Sequence, residues 1–443
     1  MHAYFDKRVE TAPRKAIQEA QFKRLKAMVD ASCQHNPFYR RKFTEHGVVP
    51  QEIRSIRDIA KLPYLEKREI AEDQEAHPPF GSNLVGGVEQ YVRYHQTTGT
   101  TGHPVRWLDT KETWTWRGRC AAMALTGSGV TSKDIMFFPF AFGPHVAYWG
   151  MFEGAYQIGA LTIAGGGWNT LQRVKALFEN NVTVVACTPT YAMRMSEVAR
   201  ENGIDLREGS VRLTMHAGEP GALIPCVRQR IMESWGAKPF DYPGMTEVGN
   251  YGIHCVFQDG AIHVNEAEFI FEVIDPKTGD LIEGDGTGEM VLTNLGRTFS
   301  PSIRFKTGDL VTVSSEKCPC GRAFRLLDGG IIGRVDDMVT IRGINVFPSQ
   351  VQAIVEKYVE VGEEYQIVAY TEKGMAELRV MCELLDGRPR DAILKKVEED
   401  LRNVFEIRIR VEAVPRGTIE RSDYKSKRFI DERTGRLPVR GRM

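Results

Sequence analysis

The run Thr97-Thr-Gly-Thr-Thr-Gly-His-Pro104 sets the hydroxyls of Thr97, Thr98, Thr100 and Thr101 around Gly99 and Gly102. It suits neither helix nor strand. As a loop, its amides and hydroxyls can converge on one anion, and a polyphosphate fits that chemistry. The Gly-Lys-Ser/Thr ending of the nucleotide P-loop is missing, and an ordinary Gly/Thr turn is the competing reading of these residues alone. A second run, Asp241-Tyr-Pro-Gly-Met-Thr-Glu247, places Thr246 and Glu247 after a glycine turn. A hydroxyl there can meet a phosphate oxygen, and a carboxylate can meet Mg2+, a hard cation that prefers oxygen. In Phe305-Lys-Thr-Gly-Asp309 the Asp309 carboxylate sits at a tight turn, placed to accept hydrogen bonds from two ribose hydroxyls, although such tripeptides are common in turns.

Cys318-Pro-Cys320 is a tight pair of thiols, and Cys255 and His263 lie upstream. Three Cys and one His would close a tetrahedral zinc site, structural rather than catalytic because no position is left open. His254 is a rival ligand, and reduced, buried thiols are the alternative. Near the C-terminus, the stretch from Pro415 to Arg428 ends in a cluster of cations that includes Lys425, Lys427 and Arg428. A cation on a flexible loop can neutralise charge developing at a phosphate, whereas the plain reading is a solvated face. Gly333 to Pro348 starts charged and runs into apolar alternation, the pattern of a loop leading to an edge strand.

The elements that must hold these residues show in the hydrophobic pattern. Ile17, Phe22, Leu25, Met28 and Val29 form a helical stripe over residues 14 to 30, which Pro37-Phe-Tyr39 interrupts. From about residue 135, short apolar runs (Ile135 to Phe138, Leu161 to Ile163, Val182 to Cys187, Leu213 to Ala217) alternate with helix-length segments. That repetition predicts a parallel sheet covered on both faces, with ligands at the carboxyl ends of its strands. Thr188-Pro-Thr190, Ala217-Gly-Glu-Pro220 and Tyr242 to Glu247 all follow such runs. Residues 261 to 315 are strand-rich. Beyond 337, strands at Tyr365 to Tyr370 and Glu377 to Glu383, a helix capped by Asp391 and a strand over Ile407, Ile409 and Val411 predict a small α+β unit.

At 443 residues the chain exceeds one hydrophobic core. With 58 basic and 58 acidic residues, bulk charge gives it no affinity for nucleic acid or anionic membranes. Neither a signal-peptide h-region nor a run of eighteen apolar residues occurs, so a cytoplasmic protein is expected, and its eight cysteines are not expected to form a disulfide framework.

Taken together, the motifs resemble those of adenylate-forming enzymes, and in particular the phenylacetate-CoA ligase-like branch, in order and spacing from about residue 36 to 430. The first run is similar to that family's phosphate loop, with His103 where Lys is usual. Asp241 to Glu247 is similar to its Tyr-Gly-x-Thr-Glu motif, with Pro243 at the Tyr position and Tyr242 one residue earlier. The resemblance implies an α/β fold with a large N-terminal adenylating domain (residues 1–334, with a β-rich subdomain about 255–330) and a small α+β lid domain (335–443). It also implies ATP, Mg2+ and CoA as reactants, with a structural Zn2+. ATP or AMP would be held by Thr97 to Gly102, Ala217, Gly218, Glu219, Pro220, Asp241, Tyr242, Asp309 and Arg334. Thr246, Glu247 (on magnesium) and Lys425 would be catalytic, Asp336 the hinge, Gly343 at the CoA entry, and Phe142 and His145 in the acyl wall. Cys255, His263, Cys318 and Cys320 would take zinc. The implied activity is AMP-forming activation of an aromatic carboxylic acid followed by transfer to CoA. Transfer to a carrier protein or an amine, a halt at the adenylate and a non-catalytic nucleotide sensor are the rivals, and homodimerisation is left open.

Overall fold

The computed structural model describes residues 4–97, 104–219, 221–335, 339–341, 344–358, 361–372, 375–384, 390–420 and 428–433. The N-terminal segment is helical: α1 (Lys7–Glu10), α2 (Arg14–His35), α3 (Pro37–Glu45) and α4 (Lys67–Ala76). The interruption expected at Pro37 is borne out: α2 ends at His35, and Pro37 is the first residue of α3. Pro at the first helical position needs no amide partner, and the Asn36 side chain accepts from the Tyr39 amide at 3.1 Å.

An antiparallel hairpin of β1 (Tyr91–Gln96) and β2 (Arg106–Thr110) brackets the Thr/Gly run. There follow α5 (Lys111–Gly127), β3 (Ile135–Phe138), α6 (Ala147–Ile158), β4 (Leu161–Ala164), α7 (Thr170–Glu179), β5 (Val184–Cys187), α8 (Pro189–Glu201), β6 (Leu213–His216), α9 (Pro225–Trp235) and β7 (Lys238–Asp241). The five strands form a parallel sheet in the order β4-β3-β5-β6-β7. Successive residues divide between its faces. Met136, Phe138, Val184 and Ala186 pack with Ala121, Leu125, Met151 and Ala155 of α5 and α6, whereas Phe137, Val185 and Cys187 pack with Val174, Leu177, Tyr191 and Ile231 of α7 to α9. Burial on both faces explains why these strands read as continuous apolar runs. The order reverses between β3 and β5, which makes the carboxyl ends there the natural ligand crevice.

A short hairpin, β8 (Gly244–Met245) and β9 (Gly249–Asn250), precedes β10 (Gly252–Ile253), β11 (Ala261–Val264), β12 (Phe269–Ile274), β13 (Gly286–Asn294), β14 (Phe305–Ser314) and β15 (Leu326–Arg334). The last six form an antiparallel sheet, β10-β11-β15-β14-β13-β12, against which α2 and α3 pack. Gln21 of α2 is buried, and its amide donates to the Glu266 and Phe269 carbonyls, both at 2.8 Å.

Among its described residues, the stretch from Gly333 to Pro348 leads into a two-stranded sheet, whose strands are both edges. It holds the end of β15, a hairpin of β16 (Val339–Ile341) and β17 (Ile344–Val346), and the first residue of α10 (Pro348–Val355). Beyond lie β18 (Val361–Glu372), β19 (Met375–Leu384), α11 (Arg390–Phe405), β20 (Arg410–Val414) and β21 (Phe429–Asp431), with sheet order β20-β19-β18-β21. Ile407 and Ile409 are buried but precede the strand, because Glu406 takes a left-handed backbone (φ 56) and breaks the extended path. One core cluster, running from Val339 to Phe429, contains no earlier residue, and the other clusters contain no later one.

Candidate active site

Three of the sequence candidates meet at the carboxyl edge of the parallel sheet. Thr188 caps α8 by accepting from the Tyr191 amide at 3.1 Å, and Glu219 accepts from the Thr190 amide at 2.9 Å. Ala217 is buried after β6, its carbonyl 3.3 Å from the Tyr148 hydroxyl, and Gly218 has φ +92, a conformation that suits glycine. Asp241 turns its carboxylate to the chain: its two oxygens accept from the Ala222 and Leu223 amides at 2.8 and 2.9 Å. It therefore pins the segment after β6. Burial pushes its carboxyl up to about 6 against the pull of those amides. Tyr242 is buried, with its amide on the His216 carbonyl at 2.7 Å. Pro220 lies outside the described residues.

The base of the Thr/Gly run is closed by Thr97, whose amide donates to the Val105 carbonyl at 2.9 Å and whose hydroxyl accepts from the Val105 amide at 3.0 Å. Residues 98–103 lie outside the described part, as do Asp336, Gly343 and Lys425. Thr246 and Glu247 occupy the turn between β8 and β9. The Glu247 side chain is buried, and its Oε1 lies 3.2 Å from Lys67 Nζ of α4, a residue that no motif announced. A cation thus already sits on this carboxylate. A buried carboxylate that already attracts a cation is a hard oxygen donor and fits Mg2+.

Asp309 and Arg334 are directly opposed across β14 and β15, with Arg334 Nη1 2.8 Å from Asp309 Oδ1 and 3.3 Å from the Thr307 carbonyl. Phe142 has a left-handed backbone (φ 49) and a ring surrounded by Phe138, Phe140, Trp149 and Phe152, at centroid distances of 6.1, 5.5, 4.7 and 5.4 Å. His145 Nδ1 lies 3.2 Å from the Gln96 carbonyl, while the Gln96 amide donates to the Pro144 carbonyl at 3.0 Å. The aromatic loop after β3 is thereby tied to the hairpin that carries the Thr/Gly run. From the C-terminal segment, Arg428 stacks over Tyr365 at 4.4 Å and donates to Glu364 at 3.0 Å. Burial opposes its charge, but Tyr365, Glu364, Glu219 and Glu356 together raise its pKa.

Away from this edge, Cys255, His263, Cys318 and Cys320 come together, all buried, with their ligand atoms within 4.8 Å of one another. Cys255 Sγ is 3.6 Å from Cys318 Sγ and 3.7 Å from His263 Nε2, and Cys320 Sγ is 3.3 Å from the same nitrogen. Tetrahedral zinc with ordinary bond lengths requires edges of about 3.8 Å between sulfurs and about 3.5 Å between sulfur and nitrogen, so the donor set fits that ion. His254, the rival ligand, donates nothing here, since its Nδ1 accepts from the Asp241 amide at 3.0 Å. Hydrogen bonds from Cys255 and His263 pull the Cys320 thiol strongly towards thiolate.

Residues 343–433 match the family model for the C-terminal domain of AMP-binding enzymes. The chain is 29% identical to the phenylacetate-coenzyme A ligase of Thermus thermophilus over 446 aligned residues, covering 96% of this chain and 98% of that one. Among solved structures, 2-hydroxyisobutyryl-CoA ligase in its postadenylation state with 2-HIB-AMP is 30% identical, with 98% and 93% of the two chains covered and a TM-score of 0.91. The same enzyme with 2-HIB-AMP and CoA in the thioesterification state is 31% identical, with 97% and 93% covered and a TM-score of 0.74. The chain belongs to the adenylate-forming CoA ligase family. The α/β class and the small C-terminal α+β unit read from the sequence are those of the family. Among the described residues of this CoA ligase family member, no helix is long and apolar enough to cross a membrane.

Proposed function

We propose that the chain is an AMP-forming acid–CoA ligase. The observation that carries this reading is the gathering of the Ala217–Glu219 segment and the Thr246–Glu247 turn beyond the carboxyl edge of the parallel sheet, with the Thr/Gly hairpin tied to the loop after β3 and the Asp309–Arg334 pair formed across β14 and β15. In the first half-reaction the amides of residues 98–102 hold the phosphates and the segment from Ala217 to Pro220, with Tyr242, lies against the adenine. Asp309 and Arg334 exchange their mutual ion pair for the ribose. Bound at Glu247 with the Thr246 hydroxyl nearby, Mg2+ would supply neutralisation of the phosphate charge. Lys425 stabilises charge between the carboxylate oxygen and the α-phosphate as the acid attacks and pyrophosphate leaves; the protein contributes position and field rather than a covalent bond. In the second half-reaction residues 335–443 rotate against 1–334 about Asp336, Lys425 withdraws, and the CoA thiol enters past Gly343 to displace AMP.

The crowd of rings about Phe142, with His145 at its edge, favours an aromatic acid. Cys255, His263, Cys318 and Cys320 hold a structural zinc. A cytoplasmic location is consistent with ATP and CoA as co-substrates. Pyrophosphate release over a panel of aryl and alkyl acids, with and without CoA, tests the reading: release with an aryl acid and an acyl-CoA product are expected. Release without a free-CoA product would assign the acyl group to a carrier protein or an amine. Lys425→Ala should abolish acid-dependent ATP–pyrophosphate exchange and leave thiolysis of a supplied acyl-adenylate largely intact; equal loss of both would sink the role given to Lys425.

A further inference from the structure

Beneath the Thr246–Glu247 turn lies a charged cluster sealed from solvent. Asp109 comes from β2, Arg117 from α5 and Arg297 from the segment after β13. Arg117 Nε is 3.0 Å from Asp109 Oδ2, Arg297 Nη2 is 2.7 Å from Asp109 Oδ1, and none of the three side chains is more than 4% exposed. The Arg297 guanidinium also lies 4.6 Å above the Trp107 ring. His95 of β1 is buried beside them. Burial first, and the Arg117 charge second, push its imidazole down to about 4, so it adds no charge at neutral pH. Within the triad one carboxylate faces two guanidiniums, and the buried Glu247 carboxylate acts on Arg297 as well. Such an arrangement is a weak source of stability, because two apolar side chains would fill the space at lower desolvation cost.

What the cluster touches gives it another use. Arg117 Nη2 donates to the Thr246 carbonyl at 2.7 Å, Arg297 Nη1 donates to the Glu247 carbonyl at 3.0 Å, and Ser302 Oγ donates to the same Glu247 carbonyl at 2.7 Å. With both carbonyls held, the peptide planes of the dipeptide are fixed, and with them the bonds that aim the Thr246 hydroxyl and the Glu247 carboxylate. Asp109, which orients both guanidiniums, sits on the strand that leaves the Thr/Gly run. The network therefore sets the register between that hairpin and the turn.

We propose that Asp109, Arg117 and Arg297 are positioning residues that hold Thr246 and Glu247 in place for Mg2+-bound ATP. The proposal rests on the ATP-binding part of the ligase reading and on none of its acyl chemistry. Arg117→Lys keeps the charge but loses the planar fork that serves Asp109 and Thr246 together. Asp109→Asn removes the charge that orients both guanidiniums. ATP binding is measured by calorimetry on the full chain, in excess Mg2+ and again in EDTA, with melting temperature as the fold control. Both variants should bind ATP about tenfold or more weakly in Mg2+ and within about twofold of wild type in EDTA, as expected when the supporting shell of a metal ligand is loosened. A purely structural role would weaken both equally. Equal weakening, an unchanged Mg2+-dependent affinity in a folded variant, or a wild-type affinity indifferent to Mg2+ would each overturn the proposal. Should Asp109→Asn fail to fold, Arg117→Lys decides alone. No acid is present, so a chain that bound Mg2+ and ATP but never released pyrophosphate would refute the ligase reading without touching this result.

Discussion

Asp241 shows how a residue found by motif can be placed correctly and still do something other than its motif suggests. Its position at the carboxyl end of β7 was legible from the strand-like run and the glycine turn. Its work on two backbone amides was not, because those amides come from a segment some twenty residues earlier. The consequence is a pH dependence. A carboxyl whose folded pKa is near 6, against 3.8 unfolded, stabilises the fold most below about pH 4, and that contribution is lost as pH rises through 6. Fully expressed, the loss is on the order of 3 kcal/mol. Asp241→Asn cannot ionise but gives up one acceptor. It should melt below wild type at pH 4, with the gap narrowing or reversing by pH 7.5; a gap constant across that range would contradict the assignment. Lys67, Arg117 and Arg297 had no signal at all. A lone charged residue in a helix or loop reads as solvated until its neighbours in space are known. Asp309 and Arg334, by contrast, were legible because each sits in its own short motif and the strands pair them.

Among elements, the Cys/His cluster was legible for a different reason: three thiols and one imidazole in two short stretches form a donor set suited to zinc. The link from that knuckle to the chain's beginning was not. Arg322, two residues past Cys320, pairs with Glu10 of α1 through Nε at 3.0 Å, both side chains fully buried, and the Tyr4 hydroxyl donates to the Cys320 carbonyl. The Glu10 carboxylate in turn accepts from the Phe5 and Asp6 amides at 2.8 and 2.9 Å. The knuckle between β14 and β15 thus anchors the N-terminal turn. Cys318→Ser, or strong chelation, should lower the melting temperature by about 5 °C or more and release close to one zinc per chain. Cleavage by trypsin after Lys7 or Arg8 should accelerate in step. Zinc loss with the N-terminal segment still protected would show that the two elements are independent.

At the scale of the molecule, the C-terminal unit could be read from the sequence because its core closes on itself between residues 339 and 429. Its docking could not, since the contacts join charged surface residues far apart in the chain. Arg416 reaches Glu197 of α8 at 2.8 Å, and the Glu219 charge raises the pKa of Arg428. The TM-score is 0.91 against 2-hydroxyisobutyryl-CoA ligase in its postadenylation state and 0.74 against the same enzyme in its thioesterification state, so these contacts accompany an arrangement similar to the former. A contact made in one state alone biases the equilibrium by its own free energy. The Arg416 side chain is 62% exposed, so the pair with Glu197 contributes at most about 1 kcal/mol, a population shift of about fivefold. Glu197→Arg sets two guanidiniums against each other in that arrangement. It should slow acid-dependent ATP–pyrophosphate exchange by about threefold to fivefold while leaving thiolysis of a supplied adenylate unchanged or faster. The difference should shrink in about 0.5 M salt, where exposed charges are screened beyond a few ångström. A loss shared by both half-reactions, or one insensitive to salt, would place the effect in the folding of α8 rather than in the docking of the C-terminal unit.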